Sequence, residues 1–325
     1  MDIEIQPPLR DNKRQLWHTF LENAGLAADD SVEQTVLVWD GDSLAATGSR
    51  QGNLLKCIAV DSAHQGEGLL ATVLTALRQE AFRDGHRHLF LYTKPANSYL
   101  FAPLFFYPVA MTGDVLLMED RQNGIREHLA AIPKVQGEKI GAAVLNCDPF
   151  TLGHQYLIET AAKSCDHLYV FVLSEDKGGF SAKDRMEMVK LGTAHLQNVT
   201  ILPTGPYLIS AATFPTYFLK NRDQAEVIHC QLDVEIFVRH FAPAFGIQQR
   251  FVGTEPLSAL TEQYNQVLKS TLPQKGISVT EIPRLEIAGA PVSASAVRLA
   301  WQERAWDILQ TLVPKTTLDY LKTLT

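Results

Sequence analysis

"NCDPFTLGHQYLIE", Asn146–Glu159, decides the fold. The continuous apolar run "IGAAVLN" leads into it, and "GHQYLIETAAKSC", with helical spacing, leads out, so the stretch reads as the turn between a buried strand and a helix. Pro149 sets a rigid turn, and Gly153 leaves the backbone bare where the helix begins. Thr151 and His154 then stand where the first helical N–H groups point outward, a natural place for a phosphate.

Outward from that turn, the second part of the chain alternates strand and helix. "HLYVFVLS", "SAKDRMEMVKLGTAHL" with Ser181 as candidate N-cap, "VTILPTG", "AEVIHCQL", "DVEIFVRHFAPAFG", "QQRFVG", "SALTEQYNQVLKS" and "ISVTEIPRL" continue the pattern. Near-continuous apolar strands separated by helices predict a parallel sheet covered on both faces. In such sheets ligands sit beyond the carboxyl ends of the strands, near a topological switch point. Asn146 to His154 should line that crevice. Late in the chain "APVSASAVR" opens another helix and offers Ser293, Ser295 and Arg298 as donors. Two phosphate-cradling helix starts in one α/β domain suit a triphosphate broken between its α and β phosphates. Such chemistry needs positioning and charge neutralisation more than covalent help.

The first part has a different pattern. "VLVWDGDSLAATGS" holds two β-rich runs joined at Asp40-Gly41-Asp42, a hairpin signal, and "LLKCIAV" supplies the next strand. Gly66 to Gly85 carries Leu69, Leu70, Val73, Leu74 and Leu77 at helical spacing and ends on a glycine suited to a left-handed cap. A strand "HLFLYTK", a short aromatic helix "NSYLFAPLFFY" and a final strand "VAMTGDVLLME" follow, and "RQNGIREHLAAIPKVQGEK" reads as a polar connector. The division falls near Pro133, giving domains at 1–133 and 134–325. Gly66 and Gly68 stand directly before the long helix, where backbone N–H groups can cradle a pyrophosphate.

Composition sets the outer limits. The 325 residues are 46% hydrophobic and 20% charged, ordinary for a globular protein with about two domains. No apolar run approaches a membrane span, and "MDIEIQPPLRDNKRQ" lacks a secretory pattern, so a cytoplasmic protein away from membranes is expected. Cys57, Cys147, Cys165 and Cys230 are scattered, suggesting neither a metal site nor a disulfide framework. A net charge of -7 argues against a nucleic-acid partner.

Strand, Gly-rich loop, long helix, strand and "YLFAPLFFYPV" together resemble the GCN5-related N-acetyltransferase (GNAT) fold over about residues 1–130. In that family this loop holds the pantetheine and pyrophosphate of coenzyme A, and Gly66 and Gly68 match its glycines. The family's usual Arg or Gln at the start of the loop is Ala63 here. The second part resembles the nucleotidylyltransferase superfamily over about residues 138–312. Thr151-Leu152-Gly153-His154 matches its T/H-x-G-H motif and Ser293-Ala294-Ser295 its late Ser/Thr-rich motif. "FVGTEP", with Gly253 and Glu255, resembles the segment near the adenosine, and "SAKDR" places Lys183 and Arg185 on a helix that often contacts phosphate. Each residue also has a plain structural alternative. Gly66 and Gly68 could serve a tight turn, His154 could be satisfied locally, Ser293 and Ser295 could be helix caps, and Arg185 a solvated charge.

The domain order, the length and "LNCDPFTLGHQYLIE" together resemble the citrate lyase ligase family. That resemblance implies an α/β enzyme that uses ATP and Mg2+ to join acetate, through acetyl adenylate, to the prosthetic-group thiol of the citrate lyase acyl carrier (gamma) subunit, releasing AMP and pyrophosphate. It implies catalytic roles for His154, Thr151 and Arg185. It places ATP against Asn146, Asp148, Pro149, Phe150, Gly153, Gly253, Glu255, Ser293, Ser295 and Arg298, and the carrier's prosthetic group against Gly66 and Gly68, with no protein-bound metal. Three alternatives stay open: an adenylyltransferase acting on phosphopantetheine or nicotinamide mononucleotide, an acetyltransferase with an appended nucleotide sensor, and a non-catalytic nucleotide- or carrier-binding regulator.

Overall fold

A computed structural model describes residues 1–324 except 177, 210–213, 220–223 and 256–257; for 259 and 260 only the backbone is described. The chain divides into two compact units, one of residues 1–127 with 215–228 and the other of 128–214 with 229–325. This division differs from the sequence reading in two ways. It falls a few residues before Pro133, and 215–228 cluster with the first unit, where Tyr217 donates its hydroxyl to the carbonyl of Tyr92 (3.1 Å) and accepts from the Ala27 N–H (2.8 Å).

The first unit is an α+β arrangement. β1 (Asp2–Gln6) and α1 (Asp11–Asn23) precede the hairpin of β2 (Gln34–Asp40) and β3 (Ser43–Gln51), then come β4 (Leu54–Val60) and α2 (Leu69–Arg83). β5 (Phe90–Thr93), the one-turn helix α3 (Ser98–Phe101), β6 (Tyr107–Met111) and β7 (Leu116–Glu119) complete it. The sheet order is β1-β2-β3-β4-β5-β7-β6. "VAMTGDVLLME", read as one strand, is the antiparallel pair β6 and β7, because Thr112-Gly113-Asp114 turns the chain and Thr112 N–H bonds back to the Val115 carbonyl. Helix α2 lies on the sheet through Val73 and Leu77, and a Cβ on Gly48 would stand 2.5 Å from Val73, so the glycine permits that approach. β4 and β5 are parallel but pair only at Leu54↔Phe90 and Leu55↔Leu91. Beyond that register the strands part, and the gap opens beside the start of α2.

The supposed connector contains a helix, α4 (Gly124–Ala130). The second unit then runs β8 (Ile140–Leu145), α5 (Leu152–Ala162), β9 (His167–Val172), α6 (Ala182–Thr193), β10 (Val199–Pro203), α7 (Ala225–Ile236), α8 (Ala242–Phe245), β11 (Gln249–Gly253), α9 (Ala259–Thr271) and β12 (Ser278–Ile282). A two-residue pair, β13 (Glu286–Ile287) and β14 (Ala290–Pro291), precedes α10 (Ala294–Gln302), α11 (Trp306–Leu312) and α12 (Lys315–Thr323). "AEVIHCQL" and "DVEIFVRHFAPAFG" are continuous helix, α7 passing through a π-helical turn at Phe237–Phe241 into α8. The five strands are all parallel in the order β10-β9-β8-β11-β12. The chain steps from β8 one way to β9 and β10, then back across to β11 and β12, so the switch point lies between β8 and β11. Its core packs Ile158, Val170, Met188, Phe251 and Val297. Among the described residues no helix is long and apolar enough to cross a membrane.

Candidate active site at the carboxyl ends of the parallel strands

Asn146 is the first exposed residue after β8, and three charged side chains brace the turn that it opens. Arg185, 1% exposed on α6, donates from Nη1 to the Asn146 carbonyl (2.8 Å) and side-chain oxygen (2.7 Å), from Nε to the Phe180 carbonyl (3.3 Å), and from Nη2 to the Glu175 carbonyl. The Asp148 carboxylate accepts the N–H groups of Gly179 (2.8 Å) and Phe180 (2.9 Å). Arg298, on α10, donates to the Asp148 carbonyl, lies 3.4 Å from its carboxylate, and donates to Ser295 Oγ (2.9 Å). A Cβ on Gly178 would be 2.6 Å from that carboxylate, so the bare loop is what lets Asp148 reach its donors.

This bracing changes several expectations. Arg185 is neither solvated nor aimed at a cavity; its donors are used to hold Asn146 and the 175–180 loop. Asp148 and Pro149 are buried in the turn. Phe150 is fully buried against Gly192 of α6, where a Cβ would come within 2.3 Å of the ring, so it belongs to the core and not to a ligand wall.

His154 is held in one orientation. Thr151 caps α5, its hydroxyl receiving the His154 N–H (3.3 Å), while the Thr151 N–H donates to His154 Nδ1 (3.1 Å). An amide N–H can only donate, so Nδ1 is the lone-pair nitrogen and the neutral ring carries its proton on Nε2. Burial, reinforced by the Arg284 charge, lowers the His154 pKa to about 4, so the ring is neutral near pH 7. It stacks near Phe150 at 6.0 Å between centroids.

The ring lines a cavity of about 290 Å³ at the switch point. Around it the structure brings together Asn146, Thr151, Gly153, His154, Gly253 and Glu255 of the expected site. Pro256, the end of the "FVGTEP" match, lies outside the described residues. Ser293 approaches through its neighbour Val292, a wall residue, and caps α10 by accepting from the Ala296 N–H (3.5 Å). Ser295 is exposed on the first turn of the same helix. A Cβ on Gly153 would find Thr151 Oγ1 at 3.5 Å and Val292 at 3.6 Å, ordinary contacts, so nothing in the protein forbids a side chain there.

Arg284 was absent from the sequence reading. It follows β12, donates to Glu255 at 2.5 Å and to the Val292 carbonyl at 3.3 Å, and lines the cavity with His154. A cation just past the carboxyl end of a parallel strand was the available signal. The site therefore offers a neutral imidazole N–H donor, a guanidinium and the exposed start of a helix, a set suited to charge developing on phosphate oxygens. Among the described residues no three His, Cys, Asp or Glu side chains group as ligands for a metal ion.

In the first unit, the gap between β4 and β5 is a cavity of about 590 Å³. Gly66 (φ +87°) and Gly68 (φ +79°) form one lip, with open space where their Cβ atoms would be. Gly68 is the N-cap of α2. Tyr217 and Phe218 also line it.

A parallel sheet with a capped Thr-x-Gly-His turn at its switch point, in one chain with an α+β unit whose parallel strands part at a glycine-lipped cavity, defines a two-unit α/β protein with a nucleotidyltransferase-like fold in one unit and a GNAT-like fold in the other. Residues 140–321 match the family model for the citrate lyase ligase C-terminal domain. Over 95% of this chain and 92% of theirs, residues are 42% identical to the citrate (pro-3S)-lyase ligase of Klebsiella pneumoniae. The enzyme of the same name from Haemophilus influenzae is 37% identical over 95% of both chains. A solved acyl-CoA N-acyltransferase from Pseudomonas aeruginosa overlaps 37% of this chain and 100% of its own at 12% identity and a TM-score of 0.32. The chain belongs to the citrate lyase ligase family.

Proposed function

We propose that the second unit adenylates acetate with ATP and that the acetyl group then passes to the prosthetic-group thiol of the citrate lyase acyl carrier subunit, activating citrate lyase. The observation that carries the reading is the fixed tautomer of His154, which presents an Nε2–H donor to the same cavity as Arg284. In the first step an acetate oxygen bonds to the α-phosphorus as the bond to the β-phosphate oxygen breaks, giving acetyl adenylate and pyrophosphate. Acetate is already an anion at neutral pH, so no protein base is needed. His154 Nε2–H, Arg284 and the N–H groups at the start of α5 meet the negative charge on the phosphates, and a preset donor costs no reorganisation. Magnesium carried on the triphosphate would neutralise part of that charge, its ligands coming from phosphate oxygens and water, as this ion prefers. In the second step the carrier thiolate attacks the acetyl carbon, the carbon–oxygen bond to AMP breaks, and the thiol proton goes to solvent.

The α+β unit has the matching half of the task. The open N–H groups about Gly66 and Gly68 and the cavity of about 590 Å³ that they line suit a pyrophosphate joined to a pantetheine-like arm, which would bring the thiol. The test is exchange of labelled pyrophosphate into ATP. Exchange is expected with acetate and magnesium and without carrier. Exchange driven by phosphopantetheine and not by acetate would overturn the reading.

A further inference from the structure

Arg250 stands on β11, beside the switch point, and is 2% exposed. Its guanidinium lies over the Phe237 ring at 4.7 Å, yet Nε and Nη1 have no hydrogen-bond partner among the described residues. A buried guanidinium carries a heavy desolvation penalty, which the Tyr264 hydroxyl and the nearby Asp233 carboxyl offset in part while Nε and Nη1 stay without partners among the described residues. Asp233, on α7, is the nearby acid, but it takes the Tyr264 hydroxyl and not the arginine. Burial pushes the Asp233 pKa up, which weakens the compensation it gives the Arg250 charge.

The surroundings indicate what the charge awaits. Arg250 and Tyr264 line the cavity that holds His154, and Tyr264 also lines an adjoining recess of about 210 Å³. That recess presents apolar side chains from Val144, Leu173 and Ile209. His229, 6% exposed, also lines it; its Nε2 donates to the Ile209 carbonyl (2.8 Å), leaving Nδ1 without a partner among the described residues. A cation lining one cavity and a largely apolar recess adjoining it, lined also by Asp233, fit a small molecule with a carboxylate at one end and a hydrocarbon group at the other.

We propose that Arg250 binds the carboxylate of the short-chain acid that is adenylated, holding one oxygen while the other faces the α-phosphate, with the hydrocarbon end of the acid in the Val144–Leu173 recess. The proposal rests on the acid-adenylating reading above and adds to it the residue that recognises the acid. Arg250 acts by binding and orienting the nucleophile, since proximity in the correct geometry is a large part of such a reaction.

The test uses the full chain carrying Arg250→Met, which preserves length and apolar contact with Phe237 while removing the charge. Acetate is the probe, and pyrophosphate exchange is measured with acetate and ATP varied separately. Losing charge-assisted hydrogen bonds should raise the KM for acetate about 10²-fold, with the KM for ATP within about twofold of the parent. Arg250→Lys keeps a cation but loses the planar donor set and should raise the acetate KM about tenfold; it carries the test if the Met variant does not fold. A folded variant with an unchanged acetate KM overturns the assignment, as does a parallel rise in the ATP KM, which would give Arg250 to the nucleotide. Parent protein that exchanges pyrophosphate without any need for acetate would instead sink the functional reading, so the two failures are distinguishable.

Discussion

Replacing His154 by Asn separates its two jobs. In the structure Nδ1 receives the Thr151 N–H at 3.1 Å, and the opposite nitrogen carries the proton that faces the cavity. An Asn side-chain oxygen can occupy the place of Nδ1 and accept the same N–H, but nothing in Asn reaches as far as Nε2. Removing one preset donor from a developing charge costs about 10²–10³ in rate. His154→Asn should therefore lower acetate-dependent pyrophosphate exchange by about that factor, with ATP KM changed by less than about threefold and the melt nearly as in the parent. His154→Ala loses the cap partner as well. It should show the same rate loss and a further loss of about 1 kcal/mol in stability, which for a unit of this size lowers the melting temperature by roughly 2–4 °C. Pyrophosphate exchange at varied ATP and thermal melts on the two variants, prepared alongside the parent, give these quantities. A folded Asn variant with the parent rate would refute the reasoning, because the Nε2 proton would then have no part in the chemistry.

Gly153→Ala should fold like the parent, since its Cβ meets protein atoms no closer than 3.5 Å, yet raise the ATP KM at least about tenfold in exchange assays if the nucleotide lies against that backbone; an unchanged KM would place the nucleotide elsewhere. Arg185→Met removes a buried guanidinium from carbonyl partners on both loops, and should cost about 3 kcal/mol, read as a melt lower by roughly 6–12 °C; a full-strength melt with lost activity would instead make Arg185 a phosphate ligand. The half-buried His154 also predicts an acid response. Its pKa falls from the ordinary 6.5 to about 4, mainly by burial, so between those values the unfolded chain holds a proton that the folded chain does not. Stability from this group is full above pH 6.5 and is lost as pH falls toward 4, on the order of 3 kcal/mol. Denaturant midpoints for the parent should fall more steeply over that range than those of His154→Asn; equal slopes would contradict the assigned burial.

Residues whose roles are local were the ones legible from sequence. The strand run before Asn146, the cap at Thr151, the bare backbone at Gly153 and the cap at Ser181 follow from chemistry within one turn of the chain, and the structure has each in place. The hairpin at Asp40-Gly41-Asp42 and the helix ending before Gly85 are of the same kind. What escaped notice depends on partners far along the chain. Arg298 meets Asp148 across 150 positions, and Arg284 reaches His154 only because β12 and β8 flank β11 in the sheet. Arg185 read as a phosphate contact or a solvated charge because nothing near it in sequence shows that three backbone carbonyls of the 146–180 region converge on it. Tyr217 gives no local sign that it packs with Tyr92 and Ala27. The strand pair at 107–119 was merged because a three-residue turn with one glycine interrupts a run that is otherwise β-rich throughout.

The central claim is that acetate attacks the α-phosphate before the acetyl group reaches the carrier thiol. Acetate labelled with ¹⁸O in both carboxylate oxygens, incubated with ATP, magnesium, this enzyme and the thiol form of the carrier, follows that bond directly, with products separated and weighed by mass spectrometry. Attack on the α-phosphate, followed by breakage of the acetyl carbon–oxygen bond, must leave one labelled oxygen on AMP and none on pyrophosphate. Label in pyrophosphate or its hydrolysis product, or acetylated carrier formed with unlabelled AMP, would contradict the account.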